Sequence, residues 1–273
     1  MTWHETIQFI QNTPEYAEIV ANTYILPDLR TNVERFRQSA EFNETLSLLR
    51  TYCPQSAPRL LDIGAGNGIA SIAFALEGFQ VTALEPDPSP MVGSGAIKEL
   101  CTIYGIDSLT IIKAFGERLP LDNQSFDIVY GRQVMHHAHD LPTFIAEGAR
   151  VLVPQGIMVT TRDHVIKNEQ DKLVFLKKHP LHQFYGGENA FTLSDYRSAF
   201  QQASLSILQE LSPSQSVINY DPWNKKRLAD LVRKKIGITF AEQSWPIAIA
   251  WQALMYRQER LSGKLYSFIA RKE

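Results

Sequence analysis

A chain of 273 residues, 44% hydrophobic and 21% charged, has the composition of a globular protein that buries a substantial core. Its net charge of −2 offers no basic field to recruit nucleic acid or an anionic membrane surface. Cys53 and Cys101 are too few for a disulfide scaffold, and the start MTWHETIQFIQNTPEY lacks the basic-then-apolar order of a secretion signal, so a cytoplasmic location is expected.

Residues 15–21 follow Pro14 as a short helix. Residues 29–50 are expected to form one helix, with Val33, Phe36, Ala40, Leu46 and Leu49 on its apolar stripe. Residues 51–58 link it to the most informative stretch, RLLDIGAGNGIASIAFALEGFQVTALEPD, residues 59–87. Its first five residues form a short apolar run that suits a buried parallel strand. Gly64, Gly66 and Gly68 follow as a turn. Residues 69–77 have helical composition, and Gly78 sits where a helix C-cap is expected. Residues 79–84 form a second strand, with Glu85 at its tip. Glycines let a ligand approach the backbone without a Cβ in the way. Helix N-terminal amides favour negative groups in the same space, and a carboxylate at the next strand tip accepts both hydrogen bonds of a ribose diol. The expected ligand is a nucleoside derivative.

After the rigid turn PDPSP come a helix over 91–104 and a strand over 109–114. GERLPLDNQSFD leads into a fourth strand at 125–131, and GRQVMHHAHD follows it. A helix over 141–152 precedes a fifth strand at 156–161, with Arg162, Asp163 and His164 expected to hang off its tip. Helices are expected over 168–178 and 192–203, separated by HPLHQFYGGENAF at 179–191. A strand over 205–211, a polar loop over 212–223, helices over 225–235 and 245–261 and a strand over 263–271 complete the chain. The apolar run at 245–256 contains Pro246 and Gln252 and is too short to span a bilayer.

The turn reads D-x-G-x-G-x-G from Asp62, with the third glycine at 68 and Ile at 69, where a dinucleotide fingerprint would need a small residue. This resembles motif I of the class I S-adenosylmethionine (SAM)-dependent methyltransferases. The resemblance covers residues 59–164 specifically and the rest loosely. It implies an α/β fold with a doubly wound, mostly parallel seven-stranded sheet, N-terminal helices and a helical cap inserted after strand five. The corresponding division is an N-terminal cover at 1–56, a SAM-binding Rossmann-type core at 57–164, a substrate cap at 165–204 and sheet-completing elements at 205–273. The implied cofactor is SAM. Its expected contacts are Asp62, Gly64, Ala65, Gly66, Asn67, Gly68, Glu85, Pro86, Phe115, Gly116, Glu117, Gly131 and Arg132. The family's usual acidic adenine contact falls on Phe115, so ring and backbone contacts near Gly116 are expected there instead. Tyr24, Arg35 and Arg37 lie where they could reach the SAM carboxylate, although a solvated helix face accounts for the arginines and is preferred.

Methyl transfer chiefly requires alignment of the acceptor, and a hydroxyl acceptor also needs a base. His136 or His137 is the expected base, with Asp163 or His164 orienting it or the acceptor, an arrangement that resembles some sugar O-methyltransferases of this family. His182, Tyr185, Glu188 and Asn189 are candidate contacts to a small polar or sugar-like acceptor. The histidines show neither zinc-protease spacing nor a cysteine partner, so no metal is expected. Methylation of nitrogen or carbon, and a non-catalytic SAM-binding protein, are the alternatives. No nucleic-acid or membrane partner is expected, and the 245–261 helix is either core or the face of a homodimer.

Overall fold

The computed structural model describes residues 1–179 and 181–273; Pro180, inside the 179–191 stretch, lies outside the described residues. Five strands run parallel: β1 (Arg59–Ile63), β2 (Gln80–Leu84), β3 (Thr110–Ile112), β4 (Phe126–Arg132) and β5 (Leu152–Ile166). The two-residue β6 (Phe191–Thr192), β7 (Leu205–Leu211) and β8 (Lys264–Lys272) follow. The order is β3-β2-β1-β4-β5-β8-β7, with β6 paired to β5. β8 runs antiparallel to both neighbours. The sheet is thus the expected seven-stranded, mostly parallel one with a short eighth strand added. Its strand order reverses between β1 and β4, and a ligand crevice belongs beyond the C-terminal ends of those two strands.

Successive side chains of a strand point to opposite faces, so β1 feeds two cores. Leu60 packs beneath α3 (Leu29–Arg37), α4 (Ala40–Tyr52), α5 (Ile69–Leu76) and α6 (Ser94–Tyr104). Leu61 packs on the other face beneath α7 (Leu141–Val151) and α10 (Leu193–Gln202). In the first core Phe36, Phe42, Phe74 and Tyr130 form a chain of rings with successive centroids 5.2, 5.3 and 4.9 Å apart. Phe74 is fully buried at its centre. Phe74→Ala is expected to cost about 3–5 kcal/mol, read as a lowered denaturant midpoint with an unchanged slope.

Two expected elements differ in the structure. The helix predicted over 29–50 is two helices. Ser39 interrupts it with extended backbone, and its hydroxyl accepts from Phe42 N at 3.0 Å, so a serine N-cap starts α4 afresh. Strand five does not stop at Thr161. β8 pairs with it as far as Val165, and a register shift between Thr160 and Asp163, with Arg162 at φ +62°, carries the pairing through. Arg162, Asp163 and His164 are therefore strand residues around a bulge, which re-aims their side chains. The polar loop at 212–223 also contains a short helix, α11 (Val217–Tyr220), capped by Ser216.

The N-terminal segment lies over the crevice. α1 (Trp3–Gln11) begins with a capping box between Thr2 and Glu5. Its Ile7 and Ile10 join Ile25, Val92 and Leu181 in a satellite core, together with Val20 of α2 (Ala17–Asn22). After α8 (Glu169–Lys178), the short α9 (His182–Tyr185) meets α1 through Trp3 on Tyr185 at 4.8 Å and Phe9 on Phe184 at 5.1 Å. α12 (Lys225–Ile236) and α13 (Trp245–Gln258) lie near the C-terminus. α13 buries Ile247 and Met255 and leaves Trp245, Ile249 and Tyr256 exposed. Among the described residues, no helix is long and apolar enough to cross a membrane.

Candidate active site

The glycine turn between β1 and α5 is held by two buried carboxylates. Asp62 accepts from the Ser71 hydroxyl at 2.5 Å. Glu85 accepts from Gly66 N at 2.7 Å and from Asp87 N at 2.9 Å. Burial pushes both carboxyls up to about 7, against those hydrogen bonds. Gly64 has φ +68°, and a Cβ there would lie 2.3 Å from Val134 Cγ2. A Cβ on Gly116 would lie 2.2 Å from the Phe144 ring. Absent side chains at these two positions keep the crevice open.

Two cavities meet at Gly64. The larger, about 330 Å³, is lined by Gly64, Glu85, Pro86, Phe115, Gly116, Glu117, Gln133, Val134 and His137. The smaller, about 150 Å³, is lined by Asp62, Ala65, Gly66, Asn67 and Arg132. The pair suits a nucleoside with a polar tail: a glycine-backed slot beside a buried carboxylate, opening into a second lobe with an acid and an arginine. Asn67 Nδ2 donates to the Tyr24 carbonyl at 2.8 Å and ties the turn to the N-terminal segment.

Several expected cofactor contacts serve the frame instead. Gly68 and Gly131 line neither cavity; a Cβ on them would strike Ile97 and Val134. Arg132 reaches the smaller cavity, but its guanidinium is committed to Glu41, with Nε to Oε1 at 2.5 Å and Nη2 to Oε2 at 3.0 Å. Burial alone would raise the Glu41 carboxyl; Arg132 and Arg162 override it and hold it below the usual range. Arg37, partly exposed, pairs with Glu34 and Glu77. Glu117 Oε1 accepts from His139 N at 2.9 Å at the cavity rim, and Phe115 is 66% exposed beside it.

A third cavity, about 180 Å³, is lined by His136, His137, His164, His179, Glu188 and Gln133. Trp3 lines all three cavities. The buried His136 ring places Nδ1 3.0 Å from Asp163 Oδ1 and Nε2 3.7 Å from Glu188 Oε2. Burial works to lower its pKa, but the two carboxylates prevail and push it up to about 9. The His137 ring lies 4.1 Å from His136, and its Nδ1 is 3.1 Å from the Gly187 carbonyl. Burial and the charge on His136 push it down to about 4. His164 Nδ1 lies 2.6 Å from the Gly263 carbonyl, and burial holds that ring well below its ordinary value. A carbonyl only accepts, so His137 and His164 carry their protons on Nδ1 and leave Nε2 as an acceptor.

The expected acceptor contacts divide. Glu188 lines the third cavity, and Tyr185 lines the first while donating its hydroxyl to Glu188. His182 and Asn189 line none of the three. Asp163 is fully buried behind His136, where it positions that ring. Sequence reading missed Trp3, Gln133, Val134, His179 and Glu41. For Trp3 a signal existed, because it begins the helical stripe Trp3, Ile7, Ile10 behind a capping box.

A reversed-order parallel sheet, a glycine turn flanked by buried carboxylates and a crevice beyond the strand ends define a Rossmann-type α/β fold with a candidate nucleoside site. A methyltransferase domain family matches residues 61–160. The chain is 26% identical over 223 residues to the uncharacterized methyltransferase YcgJ of Bacillus subtilis, covering 76% of this chain and 81% of that one. It is 32% identical over 103 residues to a phthiotriol/phenolphthiotriol dimycocerosates methyltransferase of Mycobacterium leprae, covering 37% of this chain and 36% of that one. The fold matches Haemonchus contortus phosphoethanolamine N-methyltransferase 2, solved with phosphomonomethylethanolamine and S-adenosylhomocysteine. That match has TM-score 0.60 at 18% identity, over 98% of this chain and 60% of that one. Residues 61–160 thus match a methyltransferase domain, set in a Rossmann-type fold shared with solved methyltransferases.

Proposed function

We propose that the chain methylates a hydroxyl oxygen of a small polar acceptor, with SAM in the two glycine-turn cavities and the acceptor in the histidine-lined one. Glu85 would hold the ribose diol, the backbone of residues 64–67 would hold the methionine end near Asp62, and Phe115 with Gly116 would flank adenine. SAM supplies an already activated methyl group, so the chain's task is to align the acceptor and take its proton.

His137 carries this reading. It lines both the larger SAM cavity and the histidine-lined cavity. Its Nδ1–H is donated to Gly187, which fixes Nε2 as a proton acceptor at the junction. His136, held between Asp163 and Glu188, is suited to positioning and to charge balance, not to proton removal. On this reading the expected histidine pair has two roles. A small molecule suits a cavity of about 180 Å³, and no nucleic-acid or membrane partner is proposed.

The test is a screen of hydroxylated small molecules for S-adenosylhomocysteine release, followed by His137→Gln on the best acceptor. The expected loss in kcat is about 10²–10⁴-fold, with S-adenosylhomocysteine affinity unchanged within about threefold. Full turnover by the variant would end the base assignment. Turnover confined to amine acceptors would favour nitrogen methylation, which needs no base.

A further inference from the structure

We propose that His136, His164 and Glu188 form a site for one divalent transition-metal ion of the zinc class, with His179 beside them. One ligand atom from each of the three lies within 4.8 Å of the other two. A tetrahedral ion with bonds of about 2.1 Å needs donor separations of about 3.4 Å, so shifts under about 1 Å per side chain close the set. Two imidazoles and a carboxylate are the donor set of open, reactive zinc sites; magnesium and calcium prefer oxygen alone.

The surroundings match what metal-ligating histidines require. A ligating imidazole is held through its other nitrogen by a carboxylate or carbonyl. His136 Nδ1 is held by Asp163 Oδ1 at 3.0 Å, and His164 Nδ1 by the Gly263 carbonyl at 2.6 Å. Both anchors leave Nε2 for the ion. Two carboxylates, Asp163 and Glu188, are buried among these rings. The Nδ1 atom of His179 is buried without a hydrogen-bond partner and lies 3.7 Å from Glu188 Oε1. Asp163 Oδ2 is also buried and unpartnered. A network that served packing alone would satisfy these atoms. A dication supplies a ligand target for His179 and a counter-charge for the carboxylates.

An ion here keeps a coordination position toward the cavity, which an acceptor oxygen would fill. That role rests on the methyl-transfer reading above; the binding of the ion does not. The test therefore needs neither SAM nor turnover. The chelator-treated full chain is titrated with Co²⁺ and followed by its visible absorption, then with Zn²⁺ in competition. One ion per chain, tighter than about 10 µM, is expected. His164→Gln and Glu188→Gln are each expected to weaken binding at least tenfold, and His139→Gln, an exposed histidine, to leave it unchanged. Binding that is absent, or equal in all three variants, would overturn the proposal. Should the buried variants fail to fold, anomalous scattering at the zinc edge from crystals of the unmodified chain decides. A peak between His136, His164 and Glu188 supports the site, and a peak only elsewhere, or none, refutes it.

Discussion

Glu41→Ala is expected to destabilise the chain by about 3–5 kcal/mol, the largest single loss among its polar side chains. Glu41 is 1% exposed and is the shared partner of Arg132 and Arg162, at 2.5 and 3.5 Å. Removing it leaves one fully engaged guanidinium buried without its partner, with a second close by. Folding stability is commonly about 5–15 kcal/mol, so the variant should unfold at a much lower denaturant concentration. The pair also has a position in the crevice. Arg132 lies 5.5 Å over the Tyr24 and Phe36 rings and lines the smaller cavity, so S-adenosylhomocysteine binding should weaken as well. The pH dependence has a definite sign. The folded-state pKa of Glu41 is depressed, so its contribution is present above the unfolded carboxyl value and is lost as pH falls through the folded one. Equal denaturant midpoints for variant and parent at neutral pH would show that the buried pair contributes no net stability.

Glu85→Ala is expected to weaken SAM and S-adenosylhomocysteine binding by about 1.5–3 kcal/mol, the range for hydrogen bonds to a charged group. Calorimetry reads this as roughly a 10- to 150-fold rise in Kd. In the parent chain the affinity should also depend on pH. Burial raises the Glu85 pKa to about 7, above its unfolded value. Its ionised form is therefore disfavoured in the ligand-free fold, and stability falls as pH rises from the unfolded value through about 7. Ribose hydroxyls donate to the ionised carboxylate and favour it. Affinity is thus expected to increase as pH rises through about 7, and Glu85→Gln should flatten that increase. A Kd independent of pH between about 6 and 8 in the parent chain would contradict this account.

Much of the frame was legible in the residue order. The run from Arg59 to Glu85 specified strand, turn, helix, strand and acid, because each step is a local property: a short apolar run, backbone freedom at Gly64, and a carboxylate at a strand tip. Boundaries failed where a single side chain competed with the pattern. Ser39 divided a helix whose apolar stripe continued across it. Strand five ran on because β8, 98 residues or more downstream, supplied the pairing from Asp163 to Val165. No local signal in residues 156–164 encodes that partner.

The amino-acid order by itself determined the glycine turn and its flanking acids, since these act through spacing that the chain fixes covalently. Only the tertiary structure decided the roles of the histidines. His136, His137, His164 and His179 lie on three separate segments, and which ring nitrogen is a donor or an acceptor follows from Asp163, Gly187, Gly263 and Glu188, groups brought beside them by the bulge in β5, the segment after α9 and the turn before β8. Proton affinity is set by neighbours in space, and those neighbours come together only when the sheet and its cover are folded.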